Sequence, residues 1–230
     1  MTLQVVLNEL KTHADPEAVK GMARFAVGGS NTLGISIPVL RDIAKRIGKN
    51  HDLSLGLWKT GIHEARIPAS MVDDPARVDA RQMEAWAFGF DSWDVTDQCI
   101  MNLFEKLPVA WDKAKEWSVA EPEFVKRAGF VLMARLAVSD KKAEDRRFLD
   151  FFPQLRREAA DERNFVKKAV NWAVRQIGKR NARLNREALK LCGDLLKMDS
   201  KNARWIAMDA VKELESEAVR NRFRSKTEST

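Results

Sequence analysis

The chain has 230 residues, is 45% apolar and 32% charged, and carries a net charge of +7; this suffices for a core of ordinary size and is too polar for a membrane protein. No run approaches the roughly 18 consecutive apolar residues of a spanning helix, and Met1 is not followed by a basic segment and an apolar signal core. Cys99 and Cys192 are the only cysteines and neither sits in a CxxC pair, which excludes a disulfide scaffold and a four-cysteine zinc site and makes a reducing cytoplasm the expected compartment.

With 11 Gly and 7 Pro, the chain has little turn chemistry, and helical periodicity recurs where strand alternation does not. The first predicted helices cover 3–13 and 16–27, the second opened by Asp15 before Pro16 and ending in Met22-Ala23-Arg24-Phe25. The stretch 27–36, with Gly28-Gly29-Ser30, reads as the clearest long loop; it lacks a following Lys-Ser/Thr and is no P-loop. Helices follow over 38–48, announced by Ser36 and Pro38, then 52–60 and 62–72. The last begins His63-Glu64-Ala65-Arg66, but Ile67 breaks the HExxH pattern, and His13, His51 and His63 are too scattered for a metal site. Another helix spans 76–89, after Asp74 and Pro75.

The helix predicted over 93–106 carries Trp93 and Asp97, four residues apart and on one face. Asp91 or Ser92 is the expected N-cap, which puts Asp97 near the first turn, where the helix dipole favours an ionised carboxylate. A carboxylate beside an indole suits stabilisation of a developing cation; the plainer reading is a core Trp with a helix-start Asp. Cys99, on an apolar face with Ile100 and Leu103, fits a buried structural thiol better than a nucleophile.

Helices at 109–118 and 121–137 come next, and the second holds Arg127 between Phe124, Phe130 and Val131. A charge there needs a partner; a buried ion pair and a phosphate clamp built on the guanidinium fork both satisfy the pattern. Helices at 142–159, 163–179, 184–197 and 200–215 complete the series. Phe124-Val125-Lys126-Arg127-Ala128 recurs as Phe165-Val166-Lys167-Lys168-Ala169, 41 residues later, a period that fits HEAT- or armadillo-like helix pairs stacked into an α-α superhelix with a concave face. No linker divides the chain, so 1–218 reads as one repeat domain and 219–230 as a frayed basic tail.

Charge is unevenly spread: residues 1–120 balance at −2 and residues 121–230 at +9. From Arg163 to Arg186 there are eight basic residues and no acid, which suits a polyanion such as nucleic acid, or a solvated face. Within 163–179, Val166, Ala169, Val170, Ala173 and Ile177 form the apolar face, while Lys168, Trp172, Arg175 and Lys179 form a separate stripe. A ring interleaved with cations suits a surface that tracks a nucleic-acid backbone; the alternative packs Trp172 against a neighbouring helix while the cations snorkel outward.

Taken together, SWDVTD (92–97), EFVKRAGFVLMA (123–134), NFVKKAVNWAVRQIGKRN (164–181), IHEARI (62–67) and MARF…GISIPVLRDIAK (22–45) resemble the AlkD-type bacterial DNA alkylation-repair glycosylases from about residue 3 to about 215. The resemblance implies an all-α HEAT-like solenoid whose concave basic face holds duplex DNA containing alkylated purines, with a lesion site of Trp93, Asp97, Arg127 and Trp172. It implies base excision without a base-flipping pocket, no metal or organic cofactor, and a monomer. Lys126, Arg163, Lys168, Arg175, Lys179 and Arg180 are the expected DNA contacts. Phe25 stands where well-studied members carry a Tyr, and so keeps the ring and loses the hydroxyl. Two other readings use the same scaffold: a DNA-binding or architectural protein without catalysis, and a protein–protein scaffold, which would want an apolar or acidic groove.

Overall fold

Apolar residues at helical spacing bury one stripe of almost every segment, and the resulting all-helical architecture divides into two units, Met1–Val109 and Ala110–Thr230, where the sequence reading has a single domain. The computed structural model describes residues 1–28 and 31–227; Gly29 and Ser30 of the predicted loop and the last three residues of the predicted tail lie outside them. No helix among the described residues is long and apolar enough to cross a membrane.

The first unit runs α1 (Leu3–Thr12), α2 (Pro16–Ala23), α3 (Ile37–Ile47), α4 (His51–Lys59), α5 (His63–Val72), α6 (Ala80–Ala87), α7 (Trp93–Asn102) and a 3-10 turn, Phe104–Lys106. Local chemistry sets the starts. Asp15 accepts from the amides of Glu17 and Ala18, at 2.9 and 3.1 Å, and Asn50 from that of Leu53 at 3.0 Å. Asp74 does not open the next helix as expected. Its carboxylate takes the amide of Ala76 at 3.0 Å in a tight turn, and α6 starts only after Asp79, which caps Gln82. Leu10, Leu40, Ile43, Leu57, Ile67, Met83, Ile100 and Phe104 are fully or almost fully buried and form the core of this unit. Two adjacent helices of it, α5 and α7, pack together.

The second unit runs α8 (Ala110–Trp117), α9 (Glu123–Ser139), α10 (Asp145–Leu149), α11 (Phe152–Glu158), α12 (Asn164–Gly178), α13 (Ala182–Leu196), α14 (Lys201–Leu214) and α15 (Glu217–Thr227). The single helix expected over 142–159 is two, because Pro153 in the first turn of α11 has no N–H to continue the ladder from α10. The expected frayed tail instead carries α15, anchored by buried Val219. At the centre lies α9, buried without a break from Val125 to Ala134 between α8 and α12. The two copies of the sequence repeat open α9 and α12, and their leading rings, Phe124 and Phe165, lie 5.5 Å apart.

Gly129 shows how close α8 and α9 come. A Cβ there would stand 2.4 Å from the Ser118 nitrogen and 2.8 Å from the Trp117 carbonyl carbon, both backbone atoms. Alanine would gain about 1 kcal/mol in helix propensity, but overpacking typically costs about 1–3 kcal/mol and backbone cannot rotate away as a side chain can. Gly129→Ala is therefore expected to lower the urea-unfolding free energy by about 2 kcal/mol net, whereas the same change at Gly193, where a Cβ meets nothing within 4 Å, should stabilise.

Candidate functional site

Helix α7 leaves an extended Asp91-Ser92 segment, with Ser92 at φ −151° and ψ 145° as N-cap. The Ser92 carbonyl accepts from the Thr96 amide and hydroxyl, while its own hydroxyl donates to the Asp94 carboxylate and does not cap the helix. Val95, Thr96, Cys99 and Ile100 turn into the core. The opposite stripe, Trp93, Asp97 and Met101 with Asp94 and Gln98 beside it, therefore faces a cavity of about 420 Å³. Asp97 is the fifth residue of α7 and only 8% exposed; Asp94, not Asp97, holds the first-turn position where the dipole acts most strongly.

The facing wall comes from α2, residues 34–37 and α5, with Met22, Ile35, Ile37 and Ile67 supplying apolar surface. The Trp93 indole is held at the rim by its Nε1, which donates to the Phe25 carbonyl at 3.1 Å. Phe25 thus contributes its backbone, while the residue as a whole is 73% exposed. Two further side chains on the cavity wall were given no role by the sequence reading. His63 Nε2 lies 2.8 Å from Asp94 Oδ2. Glu64, fully buried, accepts the amides of Leu33 and Gly34 at 2.7 and 2.6 Å.

Burial works against charge on both members of the His63–Asp94 pair, but their mutual hydrogen bond and attraction outweigh it. The His63 imidazole is raised above its usual value, with help from Glu64 and Asp91; the Asp94 carboxyl is lowered, with help from Ser92 and the Val95 amide. Cys99 is fully buried and its thiol is pushed far up by burial; burial also pushes the Cys192 thiol up to about 12. Among the described residues no group of three or more His, Cys, Asp and Glu side chains is placed to hold a metal ion.

The other expected site residues belong to the second unit. Arg127 is buried at 6% exposure, and its Nη1 donates to the Phe165 carbonyl at 2.8 Å, joining α9 to the first turn of α12. Trp172 is half-buried on α12. Of the expected DNA contacts, Lys168 is exposed and has no ionic or hydrogen-bond partner among the described residues. Arg175 and Lys179 both bind Glu213, at 2.8 and 2.5 Å. Arg163 grips Asp161 through two nitrogens, at 2.9 and 2.6 Å. Lys126 is buried against Glu158 and Asp161, at 2.7 and 3.3 Å. Arg180 closes the end of α9 by donating to the carbonyls of Ala137, Lys141 and Ala143 and lies over the Phe148 ring.

A family model described as DNA alkylation repair enzyme matches residues 6–214. The chain belongs to this family. No curated protein matches it. Among solved structures, one described as a new family of proteins related to the HEAT-like repeat DNA glycosylases, with affinity for branched DNA structures, is 20% identical, covers 94% of each chain and superposes with a TM-score of 0.76. This likeness shows the fold, so the helix pairs seen here are those of the HEAT-like repeat group. A second, an engineered protein 16% identical over 90% of this chain and 96% of its own, superposes with a TM-score of 0.44.

In this member of the alkylation-repair family, then, Trp93 and Asp97, on the one helix face that their spacing predicts, line a cavity together with His63, Glu64 and Asp94. The string His63-Glu64 holds the one sequence signal for the first two, visible only as an incomplete metalloprotease motif; Asp94 gives none beyond its place next to Trp93. The stability contributed by raised His63 is complete below the usual imidazole value of about 6.5 and is lost as pH rises through the folded-state value, while that of lowered Asp94 is lost only in acid. Between about pH 5.5 and about pH 8.5, urea-unfolding free energies should thus fall more for the wild type than for Asp94→Asn; equal slopes would mean the pair does not couple to folding.

Proposed function

We propose that the chain is a monofunctional DNA glycosylase that removes positively charged N3- or N7-alkylated purines from duplex DNA, acting as a cytoplasmic monomer. The observation that carries this reading is the pairing of the Trp93 indole and the Asp97 carboxylate on one largely apolar cavity in a member of the alkylation-repair family. Alkylation at those ring nitrogens makes the base cationic. When the C1′–N bond breaks, the bonding electrons leave with the base, which departs neutral and needs no general acid. The positive charge passes to the sugar as an oxocarbenium-like ion, which water attacks at C1′ with loss of a proton.

Asp97 stabilises that cation and orients the water; a fixed carboxylate in a site of low polarity does this better than bulk solvent. The Trp93 indole contacts the deoxyribose, and its attraction grows as the sugar becomes positive. Arg127 is the phosphate contact that the family resemblance implies, a role that requires the guanidinium of this residue, 6% exposed, to leave the Phe165 carbonyl. Lys168 supplies backbone affinity that falls with salt, and Arg175 and Lys179 add to it by exchanging Glu213 for phosphate. No snug pocket for an extruded base is required, so the lesion is sensed through its sugar and its own lability.

A second reading, DNA binding without excision, draws on the structural relative with affinity for branched DNA and on Phe25, which has no hydroxyl to offer a lesion. Incubation with a duplex containing 7-methylguanine, followed by alkaline cleavage at abasic sites, separates the two. Base release establishes the glycosylase, and tight binding without release establishes the second reading. In the first case Asp97→Asn should lower the excision rate by at least about 100-fold and leave duplex affinity unchanged; excision at the wild-type rate would remove Asp97 from the mechanism.

A further inference from the structure

In the second unit, α9, α12 and α14 pack in that order, and side chains at matching register bridge them. Arg127 reaches Phe165, the Lys167 ammonium stands 4.9 Å from the centre of the Trp205 ring, Asn171 donates to Asp209 at 2.7 Å, and Arg175 donates to Glu213. The fifth residues of the three helices are Arg127, Lys168 and Trp205. On α12 the basic–aromatic stripe Lys168, Trp172, Arg175, Lys179 has spacings of 4, 3 and 4; on α14, Lys201, Trp205, Met208 and Lys212 repeat them.

The two stripes differ in what they have left to offer. Arg175 and Lys179 are bound to Glu213. Lys201 and Lys212 are exposed without a partner among the described residues, and between them Trp205 is 42% and Met208 67% exposed. An indole with one cation already over its ring, an adjacent exposed thioether and lysines at both ends of a run of about 16 Å form a surface for a polyanion that also carries flat apolar groups.

We infer that the α14 stripe is a second DNA contact, which takes a single-stranded segment by stacking an unpaired base on Trp205 and Met208 while Lys201 and Lys212 meet its phosphates. A duplex offers the phosphates but hides the flat faces of its bases, and would leave the indole and thioether in water. A protein partner or a second copy would have to place an acid at each end of an apolar centre, whereas a nucleic-acid strand carries phosphates and flat bases along its whole length. The inference rests on the reading of this chain as a DNA binder, and it adds a structural class of substrate: duplex with a neighbouring unpaired strand.

The test is fluorescence anisotropy with three labelled probes, a plain duplex, the same duplex with a single-stranded flap, and an oligothymidine, with base excision from a 7-methylguanine duplex measured alongside. The wild type should bind the flapped duplex more tightly than the plain one. Trp205→Ala should remove about tenfold of affinity for the flap and the oligothymidine while leaving plain-duplex affinity and excision unchanged. Met208→Glu, at a site too exposed to unsettle the fold, should act in the same direction. Equal affinity of the wild type for flapped and plain duplex, or equal losses on both from Trp205→Ala, would overturn the inference while leaving the glycosylase reading intact. Failure to bind any of the three probes would overturn both. A dimer in sedimentation that Trp205→Ala dissociates would assign the stripe to self-association.

Discussion

A fully buried carboxylate organises the first unit. Glu64 has no exposed surface, yet accepts the amides of three successive residues, Leu33, Gly34 and Ile35, at 2.7, 2.6 and 3.4 Å. Removing such a charge from water costs several kcal/mol unless hydrogen bonds replace the hydration, and the loop in turn has donors that need acceptors. Each deficiency answers the other. The neighbouring His63 completes the arrangement in both directions: its amide donates to the Asn31 carbonyl at 2.9 Å and its ring holds Asp94 on α7. Two adjacent residues at the start of α5 thus fix the loop that forms one wall of the cavity and the helix that forms another. Gly34 is part of the same constraint. Its φ of +84° suits glycine, and a Cβ would stand 2.2 Å from the Asp15 carbonyl oxygen, so the loop reaches Glu64 only without a side chain there.

The second unit follows a different logic, in which part of the basic charge is neutralised by acids outside the basic run. Between Arg163 and Arg186 no acid occurs in sequence, yet Glu213 on α14 engages Arg175 and Lys179, and Asp161 engages Arg163. Partly exposed pairs of this kind are worth about 0–1 kcal/mol, little enough for a phosphate to displace them. Lys126 is in another position: it is buried against two carboxylates, and drawing it out toward a phosphate would break both contacts and the packing around them. Basic residues of one unit thus range from structural to available, according to depth and not to charge.

This contrast explains what the sequence made legible. Helices were readable because period and caps are local: Asp15 and Asn50 bind amides two or three residues away, and Trp93 and Asp97 share a face through helical geometry alone. The repeat beginning at Phe124 and Phe165 was readable for the same reason. The partners of Glu64, Asp94, Lys126 and Arg175 lie about 30 to 40 residues away, and no window of sequence shows them. The division of 142–159 at Pro153 was local and was missed because the apolar period runs through it. In the tail, Val219 is buried and α15 continues to Thr227, a contact that composition does not show.

The two cysteines carry a consequence for the life of the molecule. Both sulfurs are buried and held as neutral thiols well above physiological pH. A protein from an alkylation-repair family works during exposure to electrophiles, and in proteins those reagents react fastest with thiolates. By keeping both sulfurs protonated and out of reach, this fold withholds its thiols from such reagents.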